Sequence, residues 1–171
     1  GGAGGFSQNY PEALAAGIAV NIGIDTHSND YLENLKLAVL YGQARYALLK
    51  GGEQAVKWPT VWTAFRNATT VPATALKRDD IGRIVEGAKA DLVAIDVSGF
   101  LVGSGALPPE PLNNMLYANG LMVRHVITDG LVQVYDGHLV VADEDRVASD
   151  GGLIMASIYE QLRLENWFTP L

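Results

Sequence analysis

The chain has 171 residues, 49% of them hydrophobic and 18% charged, and 12 basic against 19 acidic side chains give a formal charge of −7. This composition is globular, because a disordered chain has fewer apolar residues and more charge. A pI near 4.8 argues against nucleic acid or an anionic membrane as a partner, since phosphates require concentrated basic side chains. The absence of cysteine excludes disulfides and thiol chemistry. The sequence also has no run of about 20 apolar residues, the length that a helix needs to cross a bilayer.

The first part of the chain has an α/β pattern. Pro11 begins a short predicted helix that ends near Gly17, since proline suits a first helical turn and glycine a C-terminal cap. Residues 18–24 are almost wholly apolar, which is typical of a strand buried on both faces of a parallel sheet. A polar cluster over 25–30 follows, and apolar side chains at spacings of three and four then predict a long helix over about 30–50.

Two further short helices are predicted between residues 57 and 77, opened by Pro59 and Pro72. After Asp80 the pattern changes to short β-branched runs. Two Asp-Gly pairs separate the last three of these runs, and such pairs predict tight hairpins. The predicted strands cover 90–96, 123–127, 131–135 and 138–141. A final helix is predicted over about 153–167, with the acidic run 143–145 as solvated residues before it.

Asp25 is the most informative candidate for chemistry. A carboxylate directly after a buried apolar strand lies at the carboxyl end of that strand, where α/β proteins place their sites. The alternative is that Asp25 helps to cap the next helix together with Ser28 and Asn29. His27 is open to roles as a metal ligand, a substrate contact or a proton shuttle, or to none of these.

The histidines of this chain do not complete a metal site. A catalytic zinc takes three protein ligands and keeps one open position. The chain has three histidines, and two of them, His125 and His138, lie on predicted hairpin strands, where structural roles are favoured. Asp25 and His27 offer at most two ligands, so we expect any metal site in this chain to be incomplete.

Four segments, in their order along the chain, resemble the metal-dependent amidohydrolases. The similarity is greatest to the branch that contains triazine hydrolases and S-adenosylhomocysteine-type deaminases. Residues 16–30, with the sequence AGIAVNIGIDTHSND, resemble the last barrel strand of that family and the loop after it. The other three segments, 68–76, 80–93 and 119–130, resemble the family's later helix, its DIG…ADLV stretch and its late strand pair.

The resemblance implies a (β/α)8 barrel with one divalent metal, zinc or iron, and a small β-sandwich domain. Asp25 matches the family's aspartate at the end of the eighth strand, which contacts the metal or its bound water and moves a proton to the leaving group. It is therefore implied to be both a catalytic residue and a metal ligand. His27, Ser28 and Asn29 match positions that shape the substrate pocket, which is a weaker correspondence.

The resemblance also implies a division of the chain. Residues 1–80 would form the last strand and helices of the barrel, 81–145 strands of the β-sandwich, and 146–171 a C-terminal helix packing back on the barrel. The family's other metal histidines and its catalytic glutamate have no counterpart here. We therefore expect this sequence to be the C-terminal part of a longer chain. The N-terminal part of the same barrel would be its partner. Without that part, the apolar face of 18–24 lacks neighbouring strands.

The implied function is hydrolysis of carbon–nitrogen or carbon–halogen bonds in a small cyclic or amidine-like substrate, by a cytoplasmic homo-oligomer. One alternative is an inactive fragment or interaction module without metal. Another is that residues 81–171 act as an oligomerisation unit.

Overall fold

The computed structural model describes residues 9–24, 29–103 and 111–167. Within these ranges the chain forms a layer of helices, an antiparallel sheet and a long last helix. In chain order the elements are α1 (Tyr10–Ala15), α2 (Tyr31–Leu49), α3 (Val61–Ala68), α4 (Thr70–Ala75), β1 (Leu92–Ile95), α5 (Phe100–Gly103), 3-10 segments at Pro111–Leu116 and Gly120–Met122, β2 (Val123–Thr128), β3 (Leu131–Tyr135), β4 (His138–Leu139) and α6 (Glu144–Leu164).

The hydrophobic core lies on the inner face of α2. This helix packs against α1 and α3, and the 3-10 segment Pro111–Leu116 contacts both α2 and α3. Val39 is completely buried at the centre. The buried cluster consists of Leu32, Leu35, Val39, Ala64, Val102 and Ala118. Ile95 and Val123 pack partly buried against the same cluster, so one core joins the helices to the inner end of the sheet.

The four strands form an antiparallel sheet in the order β1-β2-β3-β4. Both predicted hairpins are confirmed. Asp129 and Gly130 have φ values of 50° and 81°, and Asp136 and Gly137 have values of 48° and 83°. Two successive residues in the left-handed region define the type I′ turn, whose twist matches that of the flanking strands.

The prediction of a buried strand over 18–24 is wrong for the structure as described. These residues have no strand assignment, and Ile18 is 60% exposed. Its N–H donates to the carbonyl of Ala13, closing the C-terminus of α1 around Gly17, which has φ of 71°. An apolar run becomes a strand only beside another strand, and none of the described strands lies next to this one.

The last helix begins earlier than predicted. It starts at Glu144 rather than near residue 153, because the Asp143 carboxylate accepts a hydrogen bond from the Arg146 N–H at 3.0 Å and caps the helix. The acidic run 143–145 is therefore the N-terminus of α6, where negative charge is favourable. None of the side chains of α6 is buried. No helix in the described ranges is both long and apolar enough to cross a membrane.

Candidate functional site

Three of the four predicted site residues, Asp25, His27 and Ser28, lie outside the described residues. The fourth, Asn29, is described and is exposed. The structure does define the main chain on both sides of this segment, up to Ile24 and again from Asn29. The geometry of those two ends can therefore be given.

The main chain before the segment is held at Ile22. Its N–H donates to the carbonyl of Asn67 in α3 at 3.3 Å. Its own carbonyl accepts a hydrogen bond from the hydroxyl of Tyr31 in α2 at 2.7 Å. Two helices thus satisfy the two backbone groups of this residue, a role that neighbouring strands fill in a sheet.

Behind Ile22 lies a buried polar pair. Asn67 is buried, and its side-chain Nδ2 donates to the hydroxyl of Tyr10 at 2.9 Å. Burial raises the pKa of the Tyr10 phenol, while the hydrogen bond from Asn67 acts in the opposite direction. The phenol is therefore neutral at physiological pH. Because the pair links α1 to α3, it fixes the helix that supplies the Asn67 carbonyl to Ile22.

The main chain after the segment is held by Asp30. One carboxylate oxygen, Oδ1, accepts hydrogen bonds from the N–H groups of Leu32 at 3.0 Å and Glu33 at 3.2 Å. The other oxygen, Oδ2, accepts a hydrogen bond from the N–H of Gly120 at 2.8 Å. Asp30 therefore caps α2 and also ties its start to the turn that precedes β2, and a carboxylate is favourable at this end of the helix dipole.

The cap of α2 comes from the polar cluster 25–30 that precedes the helix in the sequence. The side chain that caps this helix belongs to Asp30. Sequence reasoning included Asp30 in this cluster but did not single it out, although a carboxylate directly before a periodic apolar helix is a known N-cap signal. It also missed Tyr31, Asn67 and Gly120, whose contacts have no local signal in the sequence.

The described residues do not supply a metal site by themselves. They contain no group of three or more His, Asp or Glu side chains that could hold a metal ion. The Nδ1 atom of His125 accepts a hydrogen bond from the N–H of Asp136 at 3.3 Å, and its ring packs against Tyr135. The Nδ1 atom of His138 lies 3.7 Å from the Glu144 carboxylate at the exposed start of α6. Both histidines thus lie on hairpin strands, as predicted.

A comparison with known proteins identifies the family. The model of the amidohydrolase family matches residues 4–132, which is more than half of the chain. The chain belongs to the amidohydrolase family. The matched stretch contains the run 18–24, all four predicted site residues, and the strands β1 and β2.

Individual amidohydrolases agree with this assignment. The 5'-deoxyadenosine deaminase of Methanopyrus kandleri is 35% identical over 80% of this chain and 31% of its own length. The 5-methylthioadenosine/S-adenosylhomocysteine deaminase of Haloarcula marismortui is 31% identical over 88% of this chain and 33% of its own. This chain therefore spans about one third of the length of these relatives, which are hydrolase enzymes that act on carbon–nitrogen bonds.

A solved structure supports both the fold and the metal. The atrazine chlorohydrolase TrzN of Arthrobacter aurescens TC1, complexed with zinc, is 27% identical, with a TM-score of 0.64 over 80% of this chain and 30% of that protein. It is an amidohydrolase barrel, so the described part of this chain corresponds to a portion of such a barrel protein. The zinc in that structure supports a divalent metal in the family.

Proposed function

We propose that this chain is the C-terminal part of a (β/α)8 amidohydrolase that hydrolyses carbon–nitrogen bonds, with Asp25 as its catalytic residue. The family match over residues 4–132 carries this proposal, because it includes Asp25 and its flanking segments in one continuous stretch. In the proposed division, 1–80 belongs to the barrel, 81–145 to a β-sandwich, and 146–171 is a helix that packs on the barrel. The run 18–24, which is exposed at Ile18 and partly buried at Ile22, would then pair with barrel strands from outside this chain.

The proposed chemistry of Asp25 follows from its carboxylate. A bound divalent metal lowers the pKa of a coordinated water to about 7. Asp25 would bind that metal, accept a proton from the attacking water and deliver it to the leaving nitrogen, which is general base and then general acid catalysis. His27, Ser28 and Asn29 would contact the substrate. The remaining metal ligands would come from outside the described residues, since these contain no complete donor group.

We propose an aromatic nitrogen heterocycle with an exocyclic amino or halogen substituent as the substrate class. The names of the two deaminases point to an aminopurine nucleoside, and that of the solved chlorohydrolase points to a triazine. In both rings the substituent is on an electron-poor carbon that is bonded to at least one ring nitrogen. Water would add to that carbon before the substituent leaves. An enzyme of this kind would act in the cytoplasm, which suits an acidic, cysteine-free chain.

The Asp25→Asn variant tests the proposed role. In the complete barrel polypeptide we expect kcat to fall by about 10³-fold, since a positioned acid–base group contributes about 10²–10⁴. The assay follows ammonia release from 5'-deoxyadenosine and 5'-methylthioadenosine, and chloride release from atrazine. The Asp79→Asn variant makes the same chemical change at an exposed position and is expected to keep wild-type activity. Near-wild-type turnover by Asp25→Asn would refute the assignment.

The second candidate function is an inactive fragment or interaction module without metal. The exposure of Ile18, an apolar side chain with no neighbouring strand among the described residues, favours it. Intact mass and metal analysis of the purified protein separate the two. A mass of 18.3 kDa without stoichiometric metal would support the module, and a mass more than twice as large with bound zinc or iron would support the enzyme.

We also propose that the protein forms a homo-oligomer. Trp58 and Trp62 are about half exposed near the start of α3, and exposed aromatic side chains of this kind are enriched at subunit contacts. Gel filtration of the protein, and of residues 81–171 alone as the other suggested oligomerisation unit, would measure the size of each. Elution of both at monomer size would refute the proposal.

A further inference from the structure

One Asn-Gly pair occurs in the sequence, and it lies where the helical layer meets the sheet. Asn119 and Gly120 begin the 3-10 segment that precedes β2, and Ala118 just before them is completely buried in the core. Asparagine before glycine is especially prone to deamidation, because glycine has no Cβ to hinder the approach of its own nitrogen to the preceding side chain. Gly120 is exposed and Asn119 is partly buried, so solvent reaches the pair.

The reaction requires only these two residues and water. The main-chain nitrogen of Gly120 loses its proton and bonds to Cγ of Asn119, and the side-chain nitrogen leaves as ammonia. Water then opens the resulting cyclic imide at either of its two carbonyls. One product is aspartate, and the other is isoaspartate, whose main chain runs through the former side-chain methylene.

The observed main chain is held away from the conformation that closes the ring. In the cyclic imide the Gly120 nitrogen eclipses the Cβ of residue 119, whereas the ψ of Asn119 is 176°, which is fully extended. Ring closure therefore requires rotation of the peptide between these residues. Both polar groups of that peptide are bonded, since its carbonyl accepts the N–H of Met122 at 3.0 Å and its N–H donates to Oδ2 of Asp30 at 2.8 Å.

The Asp30 carboxylate is a firm restraint on this rotation. Its other oxygen caps α2, so the carboxylate is itself fixed to the helix. While the Gly120 N–H donates to it, the nitrogen keeps its proton and does not turn toward Cγ. The Asn119 side chain is also held, because its Oδ1 accepts the N–H of Leu121 at 3.0 Å.

We propose that Asn119 is a deamidation site and that Asp30 sets its rate of modification, by holding Gly120 until the contact between α2 and the turn before β2 opens locally. The isoaspartate product has an additional carbon in its main chain, which displaces the Gly120 N–H from the carboxylate. Modification therefore converts a transient opening into a permanent loss of this contact. The site does not depend on the proposed catalysis, which involves none of these residues.

Peptide mapping of the full chain, incubated at mildly alkaline pH, measures ammonia loss and isoaspartate at residue 119. We expect the native protein to be modified at least about tenfold more slowly than the chain unfolded in guanidinium chloride, because a hydrogen bond to a charged group shifts the opening equilibrium by about this factor. Absence of isoaspartate at residue 119 in the unfolded chain, or equal rates in the native and unfolded chains, would overturn the inference.

Two variants test the role of Asp30. Asp30→Asn still caps α2 but places an NH2 group where Oδ2 accepts the Gly120 N–H, and Asp30→Ser caps the helix with a side chain too short to reach Gly120. Either should be modified about tenfold faster than wild type. A rate in both variants that is no faster than wild type would overturn the inference, and a slower rate would show that the carboxylate promotes the attack.

Gly120→Ala is the matched control. Its Cβ would lie 3.5 Å from the Asp30 Cγ, an ordinary contact, so the bond to Asp30 is kept while the methyl group hinders the attack. Modification at residue 119 should fall well below wild type, and an unchanged rate would contradict the assignment. The isoaspartate fraction of wild type, separated by ion exchange, should melt below the unmodified protein. Equal melting temperatures would show that the contact with Asp30 survives and would overturn its proposed loss.

Discussion

The helical layer and the antiparallel sheet are both built from apolar sequence, but they are stabilised in different ways. In the helical layer, Val39 and Ala64 are almost completely buried in a cluster that also includes Ala118, which lies far from both in the chain. In the sheet, none of the residues of β1 to β4 is buried. Its strands are held instead by backbone pairing, and two tight Asp-Gly turns join β2, β3 and β4.

The difference shows what each region requires from its surroundings. The strands β2 to β4 fold from local instructions, because each hairpin turn brings its own partner strand into register, whereas β1 pairs with β2 across the intervening residues 96–122. The helical layer depends on side chains that meet only after the chain has folded back on itself. Like the helical layer, the apolar run 18–24 depends on partners that are distant in the chain. No strand among the described residues lies beside it, so it forms no strand-to-strand backbone hydrogen bonds there.

The segment that connects the two regions is tied to both. Gly82 packs against the junction of α3 and α4, where a Cβ atom would lie 2.6 Å from the carbonyl oxygen of Thr69. Lys89 bonds to both sides, because its N–H donates to the Asp80 carbonyl at 2.8 Å and its Nζ pairs with Asp129 in the first hairpin turn at 2.6 Å. The connecting segment is therefore held near both regions.

The largest effect on stability is expected for Gly82→Ala. The new methyl group would meet a backbone oxygen at 2.6 Å and the Ala73 Cβ at 2.9 Å, and the residue has φ of 73°. Strain and overpacking together should lower the free energy of unfolding by about 3 kcal/mol. The matched control is Gly87→Ala, which has φ of 85° but no atom within 4 Å and should cost only about 1 kcal/mol. Urea denaturation measures both, and equal losses would show that the packing at Gly82 is not essential.

A smaller effect is expected in the first hairpin turn. Gly130→Ala places a side chain at φ of 81° with no atom within 4 Å, so the cost of about 1 kcal/mol is purely conformational. Gly151→Ala makes the same change in the interior of α6, in open space. It should raise stability by up to about 1 kcal/mol, because alanine favours a helix. Effects of the same sign in the two variants would contradict the role of the turn.

The sequence predicted those elements whose signals are local. The two Asp-Gly turns, the strands around them and the periodic helix α2 could be recognised from residues that are neighbours in the chain. The start of α6 could not, since Gly151 and Gly152 lie inside the helix and hide it behind their low helix propensity. The run 18–24 has strand composition, but strand formation depends on a partner that composition does not reveal.

For the candidate site, the family could be predicted from the sequence, but the contacts that hold the site could not. Its sequence pattern was sufficient to indicate the family, which the comparison confirmed over residues 4–132. The contacts that hold its ends were not predictable, because Tyr31 meets Ile22 across nine residues and Asp30 meets Gly120 across 90. The catalytic role of Asp25 remains a prediction, since that residue lies outside those described.

The smallest expected effect tests the helical layer through pH. The hydrogen bond from the Arg45 Nε to the Glu12 carboxylate, 2.7 Å long, joins α2 to α1 and lowers the pKa of Glu12 below its usual 4.5. A lowered pKa means that the ion pair stabilises the fold above about pH 4.5 and is lost as the pH falls further. The melting temperature of Glu12→Gln should therefore lie below wild type at pH 7 and approach it near pH 3. Glu53→Gln, at an exposed loop position, controls for the lost charge at pH 7. A difference between Glu12→Gln and wild type that stays constant from pH 7 to 3 would show that this ion pair does not join the two helices.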